Sequence, residues 1–181
     1  MNTKEYIAME DRYSARVYLP LDVVLTRGSG VWVEDVEGKR YLDFLAAYSA
    51  VSQGHCHPRL VKAMVEQGAR LSLASRAFRT EQLPQFAKEL CELTGYDMML
   101  PMNTGAEAVE TAIKAARKWG YSVKRVPEDH AHILACHGNF HGRTITAISF
   151  SPEETYRDGF GPFTPGFDLI PFGDATAIEA G

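Results

Sequence analysis

Two stretches of the 181-residue sequence bring together side chains able to hold a ligand. In Leu100-Pro101-Met102-Asn103-Thr104-Gly105-Ala106-Glu107 an apolar run enters a turn of small residues, and Thr104 with Glu107 has the spacing of a helix capping box. A helix starting there leaves its first N–H groups without intrahelical acceptors and aims the positive end of its dipole at the turn, which suits a phosphate. Gly105 and Ala106 allow close backbone approach, and Thr104 adds a hydroxyl. A plain helix cap accounts for the same spacing. The glycines of a nucleotide P-loop are missing, and Gly28 and Gly30 are expected in a hairpin turn, not in a G-x-G-x-x-G loop.

The second stretch is His137-Gly138-Asn139-Phe140-His141-Gly142-Arg143-Thr144, directly after an apolar run that reads as a buried strand. Ligands of α/β sheets gather beyond the carboxyl ends of strands, so this loop and the Thr104 turn are candidates for one pocket. Phe140 can lie against a flat ring, and Arg143 can clamp a carboxylate through two parallel hydrogen bonds. Core packing for Phe140 and a surface charge for Arg143 are the plain alternatives. His55-Cys56-His57 and the pair His137 and His141 offer metal-ligating atoms, but Pro58 reads as a helix entry and no acidic ligand stands beside them. Structural histidines are favoured over zinc. Tyr18 and Tyr48 fit apolar packing with a hydrogen bond at the phenol tip.

The elements that must position these residues follow from the pattern of the chain. Residues 1–20 predict a short helix and an arm. Val23–Thr26, Val31–Glu34 and Arg40–Asp43 read as strands separated by turns at Arg27–Gly30 and Glu37–Lys39, a β-meander. Beyond Gly54 the period becomes helical: a helix enters at Pro58 with Leu60, Met64 and Leu71 on one face. A second begins near Thr80 with Leu83, Phe86, Ala87, Leu90 and Leu93 inward and stops at Gly95. Met98–Leu100 is predicted as a short strand, the Thr104 turn opens a helix running to Trp119-Gly120, and Ala131–Cys136 is the next buried strand. Strand, helix and strand in that order predict a parallel α/β sheet. Asp174 caps a helix that starts at Ala175 and has less than two turns of sequence left, so a longer fold is expected, of which this is the front part.

Composition bounds the function classes. With 45% hydrophobic and 23% charged residues the chain is a folded globule and not a disordered tail. A formal net charge of -4 argues against nucleic acid or anionic membrane as a partner. Cys56, Cys91 and Cys136 form no CxxC pair and no disulfide framework, and the polar N-terminus is no signal segment, so a cytoplasmic protein is expected.

Four ordered motifs together resemble the class III, pyridoxal-phosphate-dependent aminotransferases. They are Gly30 to Phe44, Gly-His-Cys-His-Pro at 54–58, Asn-Thr-Gly-Ala-Glu-Ala at 103–108 and Asn-Phe-His-Gly-Arg-Thr at 139–144. Within that class, Phe44 to His55 and Gly159 to Phe163 followed by Pro165-Gly166-Phe167 are most similar to the branch that acts on ornithine. The resemblance implies the aspartate-aminotransferase-like fold type I, with residues 1–54 as arm and meander of a small-domain part and 55–181 as the incomplete first part of the large cofactor domain. It implies pyridoxal 5'-phosphate held at Thr104, Gly105 and Ala106, with Phe140 stacked on its ring. Arg143 would hold the carboxylate of 2-oxoglutarate or glutamate, and Tyr18 and Tyr48 would steer the δ-amino group of ornithine. The family's Schiff-base lysine lies further downstream, and none of Lys4, Lys39, Lys62, Lys88, Lys114, Lys118 and Lys124 stands in its context. The expectation is an N-terminal portion of a homodimeric enzyme linking arginine breakdown to proline synthesis, inactive alone. The alternatives are half of a split enzyme completed by a C-terminal polypeptide, a non-catalytic remnant, or an aminotransferase for acetylornithine or another ω-amine.

Overall fold

The computed structural model describes residues 1–180, with side chains described through Ile178. The chain forms two compact units, Met1–Glu81 and a second beginning at Gln82.

The first unit opens with helix α1 (Thr3–Tyr13). Asn2 caps it: its Oδ1 accepts from the Glu5 N–H at 3.0 Å while Glu5 Oε2 accepts from the Asn2 N–H at 2.9 Å, a capping box that satisfies two otherwise orphaned donors. Thr3 donates from its backbone and its hydroxyl to Glu37 Oε1, which ties α1 to the sheet. An arm of residues 14–24 leads into strands β1 (Leu25–Ser29), β2 (Trp32–Asp35) and β3 (Arg40–Leu42), an antiparallel sheet in the order β1-β2-β3. The meander forms as read, but its first turn is tighter than predicted. Arg27, Gly28 and Ser29 belong to β1 and pair with Glu34, Val33 and Trp32, leaving Gly30, at φ +58°, to turn the chain. Gly28 sits in the strand because a Cβ there would lie 2.8 Å from His55 Cβ. The β2–β3 turn is built around buried Asp35. Its Oδ1 accepts from the Glu37 and Lys39 amides and its Oδ2 from the Tyr41 hydroxyl at 2.7 Å. After β3 come the single turn α2 (Ala46–Ser49) and helix α3 (Pro58–Arg70), with Pro58 at the start where its missing N–H costs nothing. Leu60, Met64 and Leu71, read as lying on one face, are 54%, 70% and 49% exposed.

The second unit runs α4 (Gln82–Thr94), α5 (Gly105–Ser122), β4 (Ile133–Cys136), α6 (Ile145–Ser149), a 3-10 turn at Glu154–Tyr156, β5 (Phe167–Ile170) and α7 (Ala175–Ala180). Gly95 ends α4 at φ +76° as predicted. Leu83, Ala87 and Leu90 are half-buried, whereas Phe86 and Leu93 are exposed. Met98–Leu100 forms no strand, since no neighbouring strand among the described residues offers it a ladder. The predicted parallel pairing is present: Ile133, Leu134, Ala135 and Cys136 face Phe167, Asp168, Leu169 and Ile170. The core gathers where this sheet meets α5, with Ile113, Ala135 and Phe150 buried and Val109, Ile133, Phe167 and Leu169 packed around them. Asp174 caps α7, its Oδ1 accepting from the Thr176 and Ala177 amides. No helix among the described residues is long and apolar enough to cross a membrane.

Candidate functional site

The second unit joins the two sequence-predicted loops. Thr104 is the N-cap of α5, in extended backbone, and its Oγ1 accepts from the Glu107 N–H at 3.1 Å. The returning bond of the box is displaced by one residue: Glu107 Oε2 accepts from the Asn103 N–H at 2.8 Å. Helix geometry leaves the Gly105 and Ala106 amides without intrahelical acceptors, at the positive end of an 18-residue helix. A Cβ built on Gly105 meets nothing within 4 Å, so this position is open on its side-chain side.

The loop after β4 lies against this helix start. Gly142, at φ +114°, comes so near that a Cβ on it would stand 3.3 Å from Ala106 Cβ, and glycine is the residue that permits both the angle and the approach. Asn139 holds the loop down by donating from Nδ2 to the carbonyls of Cys136, at 2.7 Å, and Phe150, at 3.0 Å. Its buried Oδ1 has no hydrogen-bond partner among the described residues. On the core side His141 tilts against Phe150 with ring centroids 5.4 Å apart. Thr144 closes the loop by capping α6, its Oγ1 accepting from the Ala147 N–H at 3.1 Å.

Phe140 and Arg143 are both exposed on the loop. Phe140 is 62% exposed and so is no core residue. It meets Tyr156 edge-on, centroids 6.1 Å apart, and the Arg143 guanidinium stands 5.9 Å from the Phe140 ring and 5.6 Å from that of Tyr156. The Arg143 guanidinium is thus held beside two aromatic rings. Tyr156 and Asn139 are the members that residue reading missed. The Asn following a strand-ending His-Gly was a visible turn signal, whereas Tyr156, thirteen positions beyond Arg143, had none.

In the first unit Tyr18 is 61% exposed and lines a cleft of about 530 Å³ between α1 and the arm, with Ile7, Glu10 and Leu21. Tyr48 is 85% exposed on α2. Apolar packing, the plain reading of both, does not describe them. Ala46, Ala47, Tyr48 and Ser49 all have left-handed backbone, with φ of 46°, 48°, 56° and 71°. Beside this turn His55 Nε2 lies 2.7 Å from Asp43 Oδ2, and that contact, with the Ala46 amide, holds the Asp43 carboxyl below the usual carboxylate range. The Tyr41 hydroxyl and the turn amides do the same for Asp35. Of the histidines considered as zinc ligands, His55 pairs with Asp43, His141 lies against the Phe150 ring, and the buried His57 Nδ1 has no hydrogen-bond partner among the described residues. No cluster of three His, Cys, Asp or Glu side chains gathers among the described residues.

The second unit thus gathers, after a parallel strand, a helix start whose first amides lack intrahelical acceptors, an exposed aromatic ring and an arginine beside it. The sequence model of the class-III aminotransferases matches residues 13–180, and the chain belongs to that family. It is 58% identical over 172 residues to the ornithine aminotransferase of Bordetella pertussis, covering 95% of this chain and 42% of that one. Among solved structures, the ornithine aminotransferase of Toxoplasma gondii superposes with a TM-score of 0.96 at 45% identity, over 99% of this chain and 42% of that one. The acetylornithine aminotransferase of Elizabethkingia anophelis reaches 0.83 at 52% identity, over 99% and 43%. The chain thus spans less than half the length of the relatives it matches.

Proposed function

We propose that this chain is the cofactor-cradling and substrate-recognising portion of a pyridoxal 5'-phosphate-dependent ornithine δ-aminotransferase. The reading is supported by the approach of Gly142 to Ala106, which brings the loop that carries Phe140 and Arg143 against the start of α5. The residues present fit the cofactor: the Gly105 and Ala106 amides with the Thr104 hydroxyl suit its phosphate, and the exposed face of Phe140 suits its ring. The Toxoplasma gondii relative carries PLP at partial occupancy in its active site, which supports the same assignment. Bound there, the cofactor supplies the electron sink for a carbon that gives up its proton.

This chain's own residues bind and orient. Arg143 offers two parallel N–H donors to the carboxylate of 2-oxoglutarate or glutamate, and its seat over Phe140 and Tyr156 limits the guanidinium to few rotamers. Tyr18 and Tyr48 direct ornithine so that its δ-amino group reacts. In the complete enzyme L-ornithine and 2-oxoglutarate become glutamate 5-semialdehyde and glutamate. That enzyme is cytoplasmic and homodimeric, and residues 1–54 and 55–181 contribute to its small and large domains. The proton-moving lysine comes from sequence beyond the residues assigned here, or from a complementary C-terminal polypeptide, and the chain alone does not turn over. Acetylornithine as amino donor is the second reading, favoured by the Elizabethkingia anophelis likeness.

Equilibrium dialysis against pyridoxal phosphate, alone and after co-expression with the C-terminal portion of a relative, tests the cofactor assignment; turnover of ornithine and N-acetylornithine by the pair tests the donor. Binding and a preference for ornithine are the expected results. Preference for N-acetylornithine would transfer the assignment to the second reading, and absence of pyridoxal phosphate from both samples would overturn it.

A further inference from the structure

Four successive non-glycine residues in left-handed backbone, Ala46–Ser49, persist only where their surroundings over-determine them. The turn's own backbone bonds are all local: the Tyr48 amide donates to Leu45 O at 2.9 Å, the Ala50 amide to Ala47 O at 3.3 Å and the Val51 amide to Ala46 O at 3.0 Å. What closes the loop lies at its two ends. Asp43 and His55 are both tied to the β1–β2 turn by backbone. The Asp43 amide donates to Val31 O at 2.9 Å, and His55 exchanges two bonds with Gly30 at 2.8 and 3.0 Å. The His55 side chain fills the space over Gly28, and Gly54, at φ +82°, comes so close that a Cβ on it would stand 2.9 Å from Gly30 Cα. The two side chains then meet across twelve residues, Asp43 Oδ2 at 2.7 Å from His55 Nε2. The other carboxylate oxygen, Oδ1, accepts from the Leu45 amide at 3.0 Å and the Ala46 amide at 2.9 Å, the two donors that lead into the left-handed turn.

We infer that Asp43 and His55 are a positioning pair that holds the left-handed turn, and with it Tyr48, in a single geometry. One carboxylate does both tasks: His55 fixes its orientation, and it fixes the entry of the turn. The pairing stands on this geometry alone. Its consequence for substrate choice, that the Tyr48 phenol is presented at a constant angle, rests on the ornithine reading above.

Amide hydrogen exchange on the intact chain tests the pair. His55→Ala and Asp43→Asn are expected to speed exchange at Tyr48, Ala50 and Val51 by roughly tenfold or more while leaving Val33 of β2 unchanged. His55→Gln, which keeps a donor to Asp43, is expected to retain most of the protection. Ala47→Gly in the His55→Ala background is expected to restore part of it, because glycine adopts the left-handed angle without external support. Unchanged exchange in the turn overturns the inference. Equal loss at Val33 overturns it too, since the pair would then hold the whole sheet. Kinetics of the completed enzyme separate this from the ornithine reading. With exchange altered as expected, a raised KM for ornithine supports both, and unaltered KM and kcat count against the role of Tyr48 and leave the pair standing.

Discussion

Asn139 satisfies two backbone carbonyls at once, those of Cys136 and Phe150, and thereby fixes the loop that carries Phe140 and Arg143. Replacement by Ala leaves both carbonyls without that donor and is expected to lower stability by about 1–3 kcal/mol, read from the urea midpoint. Asn139→Asp would repel them and is expected to cost at least as much. Carboxylates set the acid limb. Asp43, bonded first by His55, and Asp35, bonded first by the Tyr41 hydroxyl, both titrate below their ordinary value of 3.8 when folded. Each therefore contributes stability that is complete above that value and is lost as pH falls through the lower, folded-state range. Urea midpoints measured from pH 6 down to pH 2 should fall below about pH 4, with a shallower fall in Asp43→Asn. An acid limb of equal slope in the variant would rule out Asp43 as a contributor.

Among the elements, α5 depends on Thr104 both for its start and for the open amides behind it. Thr104→Ala is expected to cost about 1 kcal/mol and Thr104→Ser much less, because the hydroxyl supplies the cap. Gly54 is the hinge between the left-handed loop and α3. Gly54→Ala combines a positive φ with a Cβ placed 2.9 Å from Gly30 Cα and is expected to lower stability by roughly 1–3 kcal/mol; a melting temperature equal to the parent's would contradict this. Helix α3 shows what periodicity conveys and what it leaves out. The entry at Pro58 and the spacing of Leu60 and Met64 were legible, but a stripe of apolar residues does not say which surface covers it. Met98–Leu100 fails for a related reason, since β-propensity becomes a strand only when a neighbour supplies hydrogen bonds.

At the scale of the whole molecule, Leu60, Met64, Val65, Leu93 and Met98 are all more than half exposed, and among the described residues the parallel sheet has two strands. Exposed apolar surface and unpaired strand edges favour association with further protein. The chain is expected to self-associate with rising concentration in sedimentation velocity, and a monodisperse monomer with a cooperative melt would contradict that. The relatives it matches are more than twice as long.

By itself the sequence determined the meander, the helix starts at Pro58 and Thr104 and the parallel pairing of the second unit. These follow from local rules: turn residues, caps and period act within a few positions of one another. Four ordered motifs made the class-III resemblance legible over nearly the whole chain. Tertiary structure alone decided that Gly142 meets Ala106, that Tyr156 seats Arg143, that Gly28 lies in a strand beneath His55, and that Asp43 reaches His55 around a left-handed turn. Each of those joins residues far apart in the chain through backbone angles or close approaches. No local propensity encodes such a contact, because its energy exists only once both partners are already in place.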